Sequence, residues 1–229
     1  MDHRFDLAVG TTRDLNHALH QYHGSSATAT WDILHPNGLH NLAVGLDAPL
    51  TVDIAGHVGY YCAGMNKHAR ITVRGNAGPG VAENMMSGVV HVTGSASQYA
   101  GATAHGGLLI IEGNASSRCG ISMKGIDIVV QGTVGHMSAF MAQSGRLVVC
   151  GDAGEALGDS LYEARLYVRG TVAGLGADCV EKPMKDKHKT EVEGLLRDAG
   201  ISGADGAEFR RFGSARKLYH FHVDNADAY

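Results

Sequence analysis

The sequence lacks the features that define several large classes of protein. No apolar run approaches the roughly 18 residues of a membrane-spanning helix, and the first ten residues, MDHRFDLAVG, are too charged for a secretory signal. The four cysteines are scattered without a CxxC pair, which excludes the usual zinc and iron–sulfur patterns and favours reduced thiols. A formal net charge of −4 gives no general attraction to nucleic acid or to an anionic membrane. We therefore expect a cytoplasmic protein that binds neither nucleic acid nor membrane.

Glycine, in contrast, is abundant, with 32 residues in a chain of 229. Seven glycines recur at a spacing of 19 residues without an insertion, and a short strand-like segment such as RITVR or RLVVC precedes each one. These glycines are Gly56, Gly75, Gly94, Gly113, Gly132, Gly151 and Gly170. In every preceding segment the second and fourth residues are Val, Ile or Leu, and this period of two predicts a strand with one buried face.

A fixed period of about 20 residues is typical of a solenoid, in which each repeat buries its apolar face against its neighbours. The residues two and seven positions after each glycine are also small and mostly apolar. A left-handed hexapeptide helix would need a six-residue sub-period, and leucine-rich repeats would need more leucine. The sequence therefore predicts an all-β fold, a right-handed parallel β-helix of about seven 19-residue coils. We expect the seven glycines to turn the corners, at positive φ or where close backbone approach excludes a Cβ.

The repeat divides the chain into three parts. Residues 1–49 are expected to form an N-terminal cap, with a helix in TTRDLNHALHQYHG that has Thr12 as a possible N-cap and Gly24 as its stop. The strand-like segments TWDIL and LAVGL could form a degenerate first coil. Residues 50–183 form the β-helix, and residues 184–229 contain an amphipathic helix in DKHKTEVEGLLRDAG and a final strand in KLYHFHV.

Groups that could suggest catalysis are not accompanied by the partners that the chemistry needs. GNAGPG at 75–80 lacks the Lys-Ser/Thr of a phosphate-binding loop, and Cys119, although it follows Arg118, belongs to an inward column. Two sets of histidines lack the further ligands that a metal site needs: His17, His20 and His23, and His220 and His222. The acidic residues of one coil fall at different repeat positions and therefore point in different directions: Asp152, Glu155, Asp159 and Glu163. We assign no catalytic, cofactor-binding or metal-binding residue.

The outward positions of the predicted strands indicate one candidate interface. In the middle coils these positions are apolar, and they lie on adjacent strands about 4.8 Å apart. The residues of this strand patch are Val89, Leu108, Ile110, Val129 and Val148. A patch of this kind requires covering. Either the amphipathic helix around Val192, Leu195 and Leu196 covers it, or a partner subunit does.

The glycine-punctuated coils resemble the GXGXG β-helix domain that the glutamate synthase large subunit shares with a subunit of formylmethanofuran dehydrogenase. Longer stretches are similar to the family of the β-helix subunit of N-methylglutamate synthase (methylamine–glutamate N-methyltransferase), the stand-alone form of this domain. They include HVGYYCAGMN, VAENMMSG, GNASSRCGISMKGIDIVVQG, GHMSAFMAQ, GDAGEALGDSLYEARLYVRG and FGSARKLYHFHVDNADAY.

The resemblance implies a non-catalytic scaffold subunit of a hetero-oligomer, which converts methylamine and L-glutamate into N-methyl-L-glutamate and ammonia. The expected partners are an amidotransferase-like subunit and a synthase subunit that binds FMN, with no cofactor in this chain. Residue 2 is Asp rather than the cysteine of such an amidotransferase, and the repeats leave no room for a barrel of about 250 residues. The alternatives are an independent β-helix enzyme that acts on polysaccharide and a component of another glutamate-synthase-like complex.

Overall fold

The computed structural model describes residues 2–203 and 205–218. Eleven strands, two α-helices and a short 3-10 turn occur in this part of the chain. The strands are β1 (Asp2–Asp6), β2 (Thr30–Leu34), β3 (Thr51–Ala55), β4 (Arg70–Val73), β5 (Val89–Val92), β6 (Leu108–Ile111), β7 (Lys124–Val130), β8 (Ser144–Val149), β9 (Arg165–Val168), β10 (Cys179–Lys182) and β11 (Arg210–Ser214). The helices are α1 (Thr12–His20) and α2 (Asp186–Asp198), and the 3-10 turn spans Gly206–Glu208.

The repeats form a parallel β-solenoid of about seven turns, as the sequence predicts. Strands β1 to β9 follow one another in a single sheet in chain order, and each pairs in parallel with the next. The pairing joins equivalent repeat positions, so that Val52 lies beside Ile71 and Ile71 beside Val90. In the seven five-residue segments that precede the corner glycines, the second and fourth residues are fully buried. Their apolar side chains fill the interior because the period of two directs both of them inward.

The corner glycines are needed for close backbone approach rather than for positive φ. Gly56 has a φ of +148°, but the other six lie outside the left-handed range, so that part of the expectation is wrong for them. A Cβ on Gly113 would lie 2.9 Å from both the carbonyl carbon and the carbonyl oxygen of Gly94, and 2.5 Å from Ser95 Oγ. Successive corners are thus stacked so closely that no side chain fits between them.

Positive φ occurs instead at the fifth, seventh and ninth residues after the corner glycine. In the coil that follows Gly56 these residues are Tyr61, Ala63 and Met65, with φ of 61°, 58° and 56°. The same three positions have positive φ in the next five coils. The seventh residue is Ala or Gly in every coil, and the alanines Ala63, Ala82 and Ala139 are also buried, so a larger side chain would not fit there. Positive φ together with burial explains why small residues occupy the seventh position after the corner glycine.

A ladder of polar side chains continues the sheet's hydrogen bonding around the corner. In several coils the residue after the corner glycine accepts from a backbone N–H one coil further on. Asn76 Oδ1 accepts from Ser95 N at 2.9 Å, and Asn114 Oδ1 accepts from Thr133 N at 2.9 Å. Asp152 Oδ1 accepts from Thr171 N at 2.7 Å, which lowers the pKa of that carboxyl. These bonds satisfy backbone groups at which the strand pairing is interrupted.

Helix α1 closes the N-terminal end of the solenoid. Its N-cap is Thr11, whose hydroxyl accepts from Asp14 N at 3.2 Å, so the predicted cap at Thr12 is wrong by one residue. Leu15 and Leu19 are buried in the core. Two polar side chains of the helix contact carbonyl oxygens of the first coil: Asn16 Nδ2 donates to Asn41 O, and His20 Nε2 lies 2.8 Å from Val44 O. The helix therefore covers backbone groups that a further coil would otherwise pair.

The N-terminal part departs from the sequence prediction in two places. Strand β1 was not predicted, and it extends the parallel sheet beyond β2. The segment LAVGL is a turn rather than a strand, with positive φ at Ala43 and Gly45. Those two residues match the positive-φ positions of the later coils, and β2 pairs in register with β3. Residues 30–50 therefore form a coil of the solenoid, in agreement with the prediction of a degenerate first coil.

The C-terminal end is closed by antiparallel pairing. Strand β11 lies between β9 and β10 and is antiparallel to both. This reverses the direction of the sheet after the last coil, and Phe212 from β11 is buried in the solenoid core. The predicted strand KLYHFHV, with Tyr219, Phe221 and Val223, falls almost entirely outside the described residues.

Candidate functional site

The strand patch is covered mainly by α2. Ile110, Val129 and Val148 are buried in a second apolar cluster together with α2 residues, while Val89 and Leu108 are half-buried at its margin. The residues of α2 in this cluster are Val192, Leu195 and Leu196. The prediction that a partner subunit covers the strand patch is therefore wrong for Ile110, Val129 and Val148. The alternative prediction, that the chain's own helix covers the patch, agrees with the structure.

The position of α2 follows from one outward column of the sheet. Along this column the residues change from polar to apolar, with Thr72 and His91 on β4 and β5 and Ile110 on β6. Val129, Val148 and Tyr167 continue it to β9. Burying these side chains contributes roughly 1.5–3 kcal/mol each, so the amphipathic helix packs on the apolar half and leaves the polar half to solvent.

A network of charged groups fixes the edge of α2 on the sheet. Glu191 accepts from Arg146 Nη1 at 3.2 Å, from Arg165 Nη2 at 2.8 Å and from the hydroxyl of Tyr167. Arg146 is also bound by both carboxylate oxygens of Asp127, and these hydrogen bonds raise its pKa. Burial and the Glu191 carboxylate raise the pKa of Tyr167. The network connects β7, β8 and β9 to the carboxylate of Glu191 on α2. Its role is to hold the helix on the sheet.

A different face of the solenoid exposes apolar side chains. We call it the turn face, the surface formed by the fourth to eleventh residues after each corner glycine. Its most exposed apolar side chains, 41–46% accessible, are Tyr60, Met65, Met86, Met141, Tyr162 and Leu175. They are spread along the solenoid, whereas the buried residues of α1 lie in the core cluster and the apolar residues of α2 lie in the cluster of the strand patch. An exposed series of aromatic and methionine side chains is typical of an interaction surface.

Hydrogen bonds and ring contacts hold the turn face together. Tyr60 and Tyr61 have ring centroids 5.5 Å apart. Asn84 Nδ2 donates to Tyr61 Oη at 3.2 Å, and Thr103 Oγ1 donates to Asn84 Oδ1 at 2.6 Å. Three successive coils are thereby connected across the face. Because the backbone beneath them is fixed by coil-to-coil pairing, the face is preformed for a partner.

Four methionines lie nine or ten residues after a corner glycine, and they divide between core and surface. Met85 and Met123 are buried, as core-filling side chains, while Met65 and Met141 are nearly half exposed on the turn face. The two pairs differ in position by one residue, at ten and nine residues after the glycine respectively. Sequence reasoning missed this division, although the alternation of inward and outward side chains could have revealed it.

The cysteines are buried thiols rather than nucleophiles. Burial raises the pKa of Cys62 and of Cys119 to about 12, so both are protonated at neutral pH. Arg118 therefore does not activate Cys119. Among the residues that the structure describes, no group of three or more His, Cys, Asp or Glu side chains could hold a metal ion. His220 and His222 lie outside those residues.

Two carboxylates stack in one outward column of the sheet. Asp32 on β2 lies beside Asp53 on β3, in the arrangement that a polysaccharide-active β-helix would need. Asp53, however, is held by Arg74, whose Nε lies 2.8 and 2.9 Å from its two oxygens. The carboxylate is thereby engaged in an ion pair on the surface, and this column does not support acid–base chemistry.

The fold and these surfaces together define a β-solenoid protein that covers one face with its own helix and leaves another exposed. No family model matches the chain. It is 61% identical over 224 residues to Protein GlxC of Rhizobium meliloti (strain 1021), with 98% of each chain covered. The chain therefore belongs to the same family as that protein. Within the described residues, no helix has the length and apolar character needed to cross a membrane.

Proposed function

We propose that this chain is a non-catalytic scaffold subunit of an FMN-dependent, glutamate-synthase-like complex of the N-methylglutamate synthase type. Such a complex makes N-methyl-L-glutamate and ammonia from methylamine and L-glutamate. In this proposal FMN is bound by a barrel subunit, and the solenoid holds that subunit and an amidotransferase-like subunit together. The resemblance of the coils and of the longer stretches suggests the kind of complex.

The observation that carries the scaffold role is the contrast between two faces of the solenoid. The strand patch is covered by α2, whereas six large apolar side chains of the turn face remain exposed. Covering the turn face as well as the strand patch would make the isolated chain more stable, so the exposed turn face is not explained by the stability of the chain alone. We propose that the partner subunits bind to the turn face, where the backbone is already fixed by coil-to-coil pairing and loses little conformational entropy on association.

The test uses the three subunits co-expressed, with a tag on this chain. We expect the substitution of Met65 and Met141 by Glu to place charges in the interface and to abolish co-purification of the other two subunits. Val9→Glu is the matched control, because Val9 is 90% exposed and lies outside the turn face. Both variants should melt like the wild type, since all three side chains are exposed. Normal assembly of the double variant would overturn the assignment of the turn face.

A further inference from the structure

A cluster of positive charge surrounds a cleft where α2 begins. The cleft has a volume of about 320 Å³ and lies between the start of α2, the end of β10 and the middle of β11. Six cationic side chains line it, and two of them, Arg165 and Arg216, are paired with Glu191 and Glu163. The other four come from separate elements: Lys182 from β10, Lys185 and Lys187 from the N-cap and first turn of α2, and Arg211 from β11. We call it the cationic cleft. A volume near 300 Å³ is at the lower end of the range for small-ligand sites.

No carboxylate of the described residues neutralises these four cations. None of them has a carboxylate within 4.0 Å among residues 2–203 and 205–218, although the chain has four more acidic than basic residues. Glu163 also lines the cleft, but it is paired with Arg216 at 2.9 Å. Placing four like charges around one cleft costs free energy through mutual repulsion, and nothing in the folding of the solenoid requires it.

A buried histidine adds a hydrogen-bond donor to the cleft. His188 lines it and is only 6% exposed. Its Nδ1 accepts from Lys185 N at 3.2 Å, so the neutral ring carries its proton on Nε2, for which the described residues provide no hydrogen-bond acceptor. Burial, and then the charges of Arg211 and Lys187, lower the pKa of His188. The ring therefore remains a neutral donor in a region of positive potential.

We propose that the cationic cleft binds a small anion that carries phosphate groups. Arginine and lysine are the usual phosphate-binding side chains, and the first turn of α2 adds unpaired backbone N–H groups and the positive end of the helix dipole. The lining is mostly polar, which suits a charged group better than an apolar ring. The cleft is compact rather than an extended stripe, so it fits a small ligand better than a nucleic acid.

Inorganic pyrophosphate is a suitable probe in isothermal titration calorimetry of the intact chain. We expect saturable binding with one site per chain, weakened as NaCl is raised from about 50 to about 200 mM. Lys182→Gln combined with Lys187→Gln should weaken binding by about tenfold or more, because each removes a charged contact. Lys189→Gln is the matched control, since Lys189 lies on the same helix but is paired with Asp186 outside the cleft.

A melting experiment separates binding from folding. Without ligand, the double variant should be at least as stable as the wild type, because repulsion is relieved, and the same concentration of pyrophosphate should raise the melting temperature of the wild type more than that of the variant. The proposal is overturned if pyrophosphate does not bind, or if it binds the wild type and the double variant equally. Binding of a hexaglutamate peptide without binding of pyrophosphate would also overturn it and would indicate an acidic protein segment instead. These outcomes do not depend on assembly of the complex.

Discussion

Truncation of one leucine in α2 tests how the solenoid is covered. Leu196 is 1% exposed and belongs to the apolar cluster that contains Val129 and Val148. Leu196→Ala removes buried methyl groups and leaves a cavity, which costs about 2–5 kcal/mol. If the chain unfolds as one unit, a loss of this size lowers the melting temperature by roughly 4–20 °C. The matched control is Leu175→Ala, because Leu175 is 41% exposed and should change stability by less than about 0.5 kcal/mol.

Hydrogen exchange shows where this free energy is lost. A helix of 13 residues is marginal in isolation, so α2 depends on its contacts with the sheet. In Leu196→Ala we expect faster amide exchange at residues 186–198 and little change in β3 to β5, which lie at the other end of the sheet. Equal melting temperatures and equal exchange in Leu196→Ala and wild type would refute the conclusion that α2 is held by the strand patch.

Three further outcomes follow from the corners, the helix and the thiols. Gly113→Ala should destabilise the chain by about 1–3 kcal/mol because its Cβ would lie 2.9 Å from Gly94 backbone atoms, and an unchanged urea midpoint would contradict this. Gly194→Ala on α2 meets only a side-chain atom at 3.7 Å and should stabilise by up to about 1 kcal/mol, measured in the same titration. Because burial raises the pKa of Cys62 and of Cys119, these thiols lose their protons in the unfolded chain at a lower pH than in the folded chain. The free energy of unfolding should therefore fall as the pH rises above about 9. Replacing both by Ala should reduce that fall, and an identical pH dependence in the variant would exclude the thiols as its cause.

The solenoid was predictable because its signal is repeated and local. The alternation in segments such as RLVVC fixes which side chains point inward, and the constant spacing fixes the register of neighbouring coils. The corner glycines were located correctly, and of the two expected reasons, positive φ and close backbone approach, only the second holds for six of the seven. A sequence shows that Gly113 must be small, but the distance to the coil below it is a property of the stacked structure.

The remaining features depend on packing between distant segments. The sequence identified the strand patch and an apolar helix, but the contact between Val148 and α2 joins parts of the chain about 45 residues apart. Strand β11 could not be predicted, because its antiparallel pairing with β9 closes the end of the sheet rather than continuing the repeat. The cationic cleft was missed for the same reason: Lys182, Lys187 and Arg211 become neighbours only when β10, α2 and β11 are assembled.

The most direct test of the scaffold account is the mass and the flavin content of this chain with and without its proposed partners. Size-exclusion chromatography with light scattering gives the mass, and an absorption spectrum of each peak gives the flavin. We expect the chain purified by itself to contain no flavin and to show no turnover of methylamine and L-glutamate, and the co-expressed subunits to elute together as one flavin-containing complex. Stoichiometric flavin on the isolated chain, or separate elution of the three subunits, would contradict the account.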